Sequence, residues 1–221
     1  MVIALTPFEC MCGFRTIAEI HQHLTDFPEF VTIIDHSGIL CETLQTNMQC
    51  YYFFLFAKVH RCLTGNACRS FLTVHAVSHA KVTQDVAAAH HEHRTEAEEP
   101  LLRRLLAAFM DCPTELAADT LLTLVARLTA EMNTRSLSAL ESLLLRLHEQ
   151  YPGDVGVFSP LLMNYLQLQP GESFFIGANE LHAYVSGECV ECMALSDNVV
   201  RAGLTPKFKD VETLCNMVVY K

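Results

Sequence analysis

Residues 151–192 read YPGDVGVFSPLLMNYLQLQPGESFFIGANELHAYVSGECVEC. At Tyr151-Pro152-Gly153-Asp154 a helical hydrophobic period stops. From there Leu162, Asn164, Leu166 and Leu168 alternate with Met163, Tyr165 and Gln167, the period of two that sends successive side chains to opposite faces of a strand. Pro170-Gly171-Glu172 turns the chain, Ser173 to Ile176 runs back, and Gly177-Ala178-Asn179 turns it again. Leu181 to Val185, Cys189 to Leu195 and Val199 to Ala202 follow as short strands, parted by Ser186-Gly187 and Ser196-Asp197-Asn198. Short strands with turn residues every few positions predict an antiparallel sandwich or jelly roll.

Upstream the period is helical. Thr16-Ile17-Ala18-Glu19 forms a capping box, and Ile17, Ile20 and Leu24 share one helix face before Pro28. A second helix is expected from about Glu42 into the early 60s, with YYFFLFA (residues 51–57) on its buried side and a break at Thr64-Gly65-Asn66. Three more follow. Thr95 to Glu98 offers a capping box, with Pro100 in the first turn and Leu101, Leu102, Leu105, Leu106 and Phe109 as a stripe. After Asp111-Cys112-Pro113, Leu116, Leu121, Leu124, Val125 and Leu128 keep helical spacing to about Met132. Ser138 to Glu141 is a further capping box, ahead of Leu140, Leu143, Leu144 and Leu147. Residues 14–150 are therefore expected to form a helical domain. Residues 2–8 (VIALTPF) read as a strand segment belonging with the β part. The fold class expected is α+β.

The chain has 221 residues, enough to bury roughly 70% of its unfolded surface. At 51% apolar it is too hydrophobic for disorder. Its longest aromatic-rich apolar run, at residues 51–57, falls far short of the roughly 20 residues a membrane helix needs. No membrane role is expected. The N-terminus lacks the basic region and cleavage site of a secretory signal, so a cytoplasmic location is expected. The net charge of −10 excludes the basic footprint of a nucleic-acid binder. Ten cysteines at irregular intervals fit reduced, mostly buried thiols. Cys189 and Cys192, on opposite sides of a strand, would not chelate one ion. His75, His79, His90, His91 and His93 read as solvated helix and loop residues, because no third metal ligand stands at a recognisable spacing.

Chemistry concentrates in residues 178–208, ANELHAYVSGECVECMALSDNVVRAGLTPKF. A lone strand histidine such as His182 is either a hydrogen-bonded core residue or one ligand of a metal site, which wants about three protein ligands. Glu191, between Val190 and Cys192, is either an outward-facing carboxylate or one whose apolar neighbours suit it to proton transfer. Arg201 and Lys207, few cations in an acidic chain, either decorate the surface or meet an anionic substrate.

The run HAYVSGECVECMALSDNVVRAGLTPKF resembles type I mannose-6-phosphate isomerases, zinc enzymes of the cupin superfamily. IALTPF with CGFR near the start, and YPGDVG with LQPGESFFIGAN, match in the same order. The resemblance is dense over residues 1–15 and 148–217 and shares only a helical insertion between. It implies a mostly helical domain (14–150) joined to an incomplete antiparallel cupin-like jelly roll made of residues 1–13 and 151–221. It makes His182 a zinc ligand, Arg201 the catalytic arginine, Glu191 an acid/base residue and Lys207 a substrate-contacting cation. The implied reaction interconverts mannose 6-phosphate and fructose 6-phosphate through an enediol and feeds mannose and GDP-mannose metabolism. The implied cofactor is one zinc ion, and the implied partner is a small sugar phosphate. Two departures stand out. Leu181 replaces the proline that commonly precedes the metal histidine. The family's other three zinc ligands lie in a strand Gln-x-His and a segment Asn-His-Lys-Pro-Glu that would precede Met1, so the chain is expected to be an internal fragment lacking both ends and inactive alone, or else a non-catalytic truncated paralogue that binds a partner.

Overall fold

The computed structural model describes residues 1–36, 98–195 and 199–220. The helix expected from Glu42, the histidine-rich segment, the capping residue Thr95 and the turn at 196–198 lie outside the described residues. Among those described, the helices are α1 (Ile17–Asp26), α2 (Pro28–Asp35), α3 (Glu98–Met110), α4 (Thr114–Glu131), α5 (Ala139–Gln150) and α6 (Val211–Met217). A 3-10 segment occupies Val155–Leu161. The strands are β1 (Val2–Ala4), β2 (Phe8–Phe14), β3 (Met163–Leu168), β4 (Ser173–Phe174), β5 (His182–Ser186) and β6 (Cys189–Glu191).

The caps behave as their residues dictate. Thr16 and Ser138 each accept from the backbone N–H of Glu19 and Glu141, while those carboxylates reach back to the cap N–H groups. Pro28 does not merely stop α1; it takes the first position of α2, where its missing N–H costs nothing. The apolar stripes of α2 to α5 bury Phe30, Ile33, Leu102, Leu121, Leu124, Leu128 and Leu143 completely or nearly so.

Two three-stranded antiparallel sheets form the β part, in the orders β3-β2-β5 and β4-β1-β6. Along β2, Phe8, Cys10 and Cys12 face one way, opposite Leu168, Leu166 and Asn164 of β3. Met11 faces the other way, opposite Tyr165 and Ala183. That second face belongs to the large core shared with the helices, together with Phe14, Val157, Phe158 and Met163. Phe8, Cys10 and Leu168 pack instead with Val2 and Ala4 of β1 in a smaller core between the sheets. The sheet containing β2 is thus a middle layer, helices on one side and the second sheet on the other.

Several expectations change. Ser173 and Phe174 do not return alongside β3: they pair with Ile3 and Val2 in the other sheet, because the turn at Pro170-Gly171 carries the chain across the sandwich. The strand expected over 189–195 ends at Glu191, where its partner β1 ends too; Met1 and Cys192 close the ladder with reciprocal backbone bonds of 2.9 Å. Residues 199–202 form no strand, and Val200 and Ala202 instead pack on the large core. Helix α6 has no counterpart in the sequence reading, although Asp210 caps it by accepting from the Thr213 N–H at 3.0 Å. Between β5 and β6, Gly187 has φ +94° and lies against the Pro7–Phe8 backbone, where a Cβ would come within 2.3 Å of the Pro7 carbonyl oxygen.

Helix α5 is tied to the middle sheet by Glu9, whose carboxylate receives Ser186 Oγ at 2.5 Å, Arg146 at 2.7 Å and the Tyr165 hydroxyl. Burial pushes the Glu9 pKa up, but hydrogen bonds from Ser186, Tyr165 and Arg146 outweigh it and bring it to about 2. Because the folded pKa is depressed, this contribution to stability is complete above the unfolded value near 4.5 and disappears as the pH falls toward 2. In urea melts, the loss of stability between pH 5 and pH 3 is therefore expected to be smaller in Glu9→Gln than in the wild type, and an equal loss in both would contradict the tie.

Candidate active site

β5 places its side chains by strict alternation. Ala183 and Val185 pack on the large core, so His182 and Tyr184 project from the opposite face, across from Cys12 and Cys10 of β2. In the second sheet, Glu191 lies opposite Val2, whose side chain is fully buried between the sheets. Glu191 therefore points from its sheet toward the other, at an exposed rim.

Those two projections meet at Tyr184. Its hydroxyl donates to Glu191 Oε1, joining one sheet to the other. Its ring lies 5.8 Å from the His182 ring and makes an edge contact with Phe8 at 5.4 Å. Burial, and then the adjacent Glu191 carboxylate, push the phenol pKa well above its ordinary value. Tyr184 is thus a fixed donor at neutral pH. The apolar enclosure expected of Glu191 from its sequence neighbours is not present, because Val190 and Cys192 are themselves exposed.

His182 is oriented by its own strand entry. Its Nδ1 lies 2.9 Å from the Glu180 carbonyl. A carbonyl oxygen can only accept, so Nδ1 carries a proton, and the position left for a lone pair is Nε2. The Glu180 carboxylate is occupied in the turn, accepting from the Gly177 N–H at 2.7 Å. Below, burial pushes the Cys10 thiol up to about 12, helped by Cys12 and Cys189. Burial, then Glu180, also raises Cys12. These thiols are inert at neutral pH. Of the described cysteines, Cys10, Cys112 and Cys215 are buried, Cys12 and Cys189 half-buried and Cys192 exposed, all of them free.

Arg201 and Lys207 lie on an irregular segment that meets the 3-10 turn at Gly203 and Leu204. Arg201 is half-buried and Lys207 exposed. Val200, Ala202 and Leu204 hold the segment to the large core. Among the described residues, no hydrogen bond, ion pair or ring contact joins either cation to His182, Tyr184 or Glu191.

His182 offers one correctly oriented nitrogen, but among the described residues no group of three or more His, Cys, Asp or Glu side chains is placed to hold a metal. The described residues therefore do not compose a zinc site by themselves. Sequence reasoning also passed over Tyr184, though it stands two positions from His182 on the same strand face, and a period of two could have found it. Among the described residues no helix is long and apolar enough to cross a membrane.

Comparison with known proteins bears on this arrangement. Residues 76–163 match the family model for the helical insertion domain of type I phosphomannose isomerase. Mannose-6-phosphate isomerase 2 of Arabidopsis thaliana is 34% identical over 221 residues, covering 100% of this chain and 40% of the plant protein. Human mannose-6-phosphate isomerase is 36% identical over 222 residues, covering 100% of this chain and 42% of its own length. The crystal structure of mannose 6-phosphate isomerase from Salmonella typhimurium, bound to its substrate (f6p) and zinc, superposes with a TM-score of 0.58 at 27% identity, over 100% of this chain and 41% of that one. The chain is similar along its whole length to mannose-6-phosphate isomerases, of which it spans about two fifths.

Proposed function

We propose that this chain carries part of the active site of an aldose–ketose isomerase that interconverts mannose 6-phosphate and fructose 6-phosphate. The observation that carries the reading is the Tyr184 hydroxyl bond to Glu191 beside His182, in a chain related to such isomerases. The reaction moves one proton between C1 and C2 of the sugar through an enediol. Glu191 is the group assigned to take and return it. Tyr184 occupies Oε1 and leaves Oε2 for the carbon-bound proton. Arg201 stabilises the negative charge that develops on the enediolate oxygens, and Lys207 contacts the substrate as a cation.

Zinc belongs to this reading as the cofactor, with Nε2 of His182 as one ligand. The remaining ligands are assigned to segments outside these residues. In this reading residues 1–13 and 151–221 form the catalytic β domain and 14–150 the helical domain. Charged sugar phosphates do not cross bilayers unaided, which supports a cytoplasmic location in this reading. A second reading, a non-catalytic binding protein that keeps the fold, draws on the missing three-ligand group among the described residues.

Metal content and turnover separate the two. The purified 221-residue polypeptide is expected to hold well below one equivalent of zinc and to show no turnover in a coupled isomerase assay; a normal enzymatic rate would refute the assignment of ligands elsewhere. When the chain is continued upstream by its own coding sequence bearing Gln-x-His and Asn-His-Lys-Pro-Glu, one zinc and isomerase activity are expected. A zinc-loaded protein inert toward both sugar phosphates would instead support the binding-protein reading.

The Tyr184–Glu191 pair is open to ultraviolet titration of the six tyrosines. Removing the carboxylate charge in Glu191→Gln should bring one phenol's deprotonation to lower pH, and Tyr184→Phe should remove that same high-pH step. Identical curves for Glu191→Gln and the wild type would exclude the pairing.

A further inference from the structure

The segment bearing Arg201 and Lys207 has neither helix nor strand to hold it, yet its path is tightly determined at its midpoint. Asp154, which caps the 3-10 turn, accepts on Oδ1 from the N–H groups of Gly156 at 2.6 Å and Leu204 at 3.1 Å. Its Oδ2 accepts from the Thr205 N–H at 3.4 Å and lies 3.8 Å from Lys209 Nζ. One carboxylate thus gathers three backbone donors from two segments about 50 residues apart.

Two further features converge there. Leu204 has φ +56°, a left-handed conformation that a bulky residue keeps only where its surroundings impose it. Gly156 and Gly203 meet back to back: a Cβ on Gly156 would lie 2.5 Å from the Leu204 nitrogen, and one on Gly203 would lie 2.6 Å from the Gly156 Cα. Only bare backbone fits, and it brings Leu204 within reach of the carboxylate. Leu204 itself packs on the large core. Arg201 precedes this anchored residue by three positions and Lys207 follows it by three. Such an investment of buried bonds and strain is excessive for a loop with no task. It is what fixing two long, flexible cations for an anionic ligand requires.

We infer that Asp154 is the positioning residue for sugar-phosphate recognition: it sets the backbone of the 201–207 segment, and through it the stations of Arg201 and Lys207. The inference rests on the reading above that these two cations meet the substrate. Among the described residues the Asp154 carboxylate meets only backbone N–H groups and Lys209, so it acts through the segment and not on the ligand.

The test is fructose 6-phosphate binding to the full chain, followed by phosphorus NMR line broadening, with amide proton spectra recorded in parallel. Asp154→Ala is expected to weaken binding by about tenfold or more. Asp154→Asn keeps one carbonyl oxygen for Gly156 and Leu204 and should restore affinity to within about threefold of wild type. Equal binding by Asp154→Ala and wild type would overturn the inference. A substitution that damages the fold in general would not be rescued by asparagine, and failure of asparagine to rescue would equally count against positioning. If Asp154→Ala does not fold, Gly203→Ala replaces it: the carboxylate is kept while the backbones are forced apart and Leu204 is drawn out of its reach, and wild-type affinity in that variant would overturn the inference. If the wild-type chain binds no fructose 6-phosphate, the substrate assignment of Arg201 and Lys207 fails. The anchor is then judged on its own, and unchanged Gly156, Leu204 and Thr205 amide shifts in Asp154→Ala would refute it.

Discussion

The structure depends on β2 having two buried faces. A strand at the centre of a three-stranded sheet has its backbone donors and acceptors satisfied on both edges, here by β3 and β5. Its side chains are then free to serve two cores at once: Met11 and Phe14 in the helical one, Phe8 and Cys10 in the one between the sheets. Helices dock on one side and the β4-β1-β6 sheet on the other. The position of every candidate residue follows from which side of this layer it occupies.

Among the described residues the candidate site is an exposed rim between two sheets. β5 contributes His182 and Tyr184, β6 contributes Glu191, and a single phenol bridges them. The cations enter separately, on a segment fastened to the start of the β part by Asp154 and a glycine–glycine contact. In a chain with net charge −10, two cations held locally can give an anion a favourable place that the protein's overall field does not offer.

Local signals in the sequence translated well into structure where the determining partners were close by. The capping boxes at Thr16 and Ser138 need only three residues to be read, and both open helices as read. The alternation in Met163–Leu168 likewise announces a strand. Partner choice was not readable, because it depends on distant segments: nothing in Ser173-Phe174 says that its neighbour is β1 and not β3. Val199 to Ala202 has strand composition but packs its apolar residues against the large core without a strand beside it. Helix α6 is too short for periodicity to reveal, and its Asp210 cap became evident only in the structure. For the site, resemblance singled out His182, Glu191, Arg201 and Lys207. Tyr184 and Asp154 emerged only when two sheets, or two segments, were seen together.

Gly187 has a meaning for how such a chain can change over time. Its backbone rests against Pro7 and Phe8, and the Glu188 N–H is received by Thr6 Oγ1 at 2.8 Å, so the link between β5 and β6 and the link between β1 and β2 form one corner. Most surface turns tolerate inserted residues; this one does not, because added length would separate the two sheets and draw Tyr184 away from Glu191. Length variation among descendants of this sequence should therefore collect elsewhere, leaving the β5–β6 turn constant in size even where its residues drift.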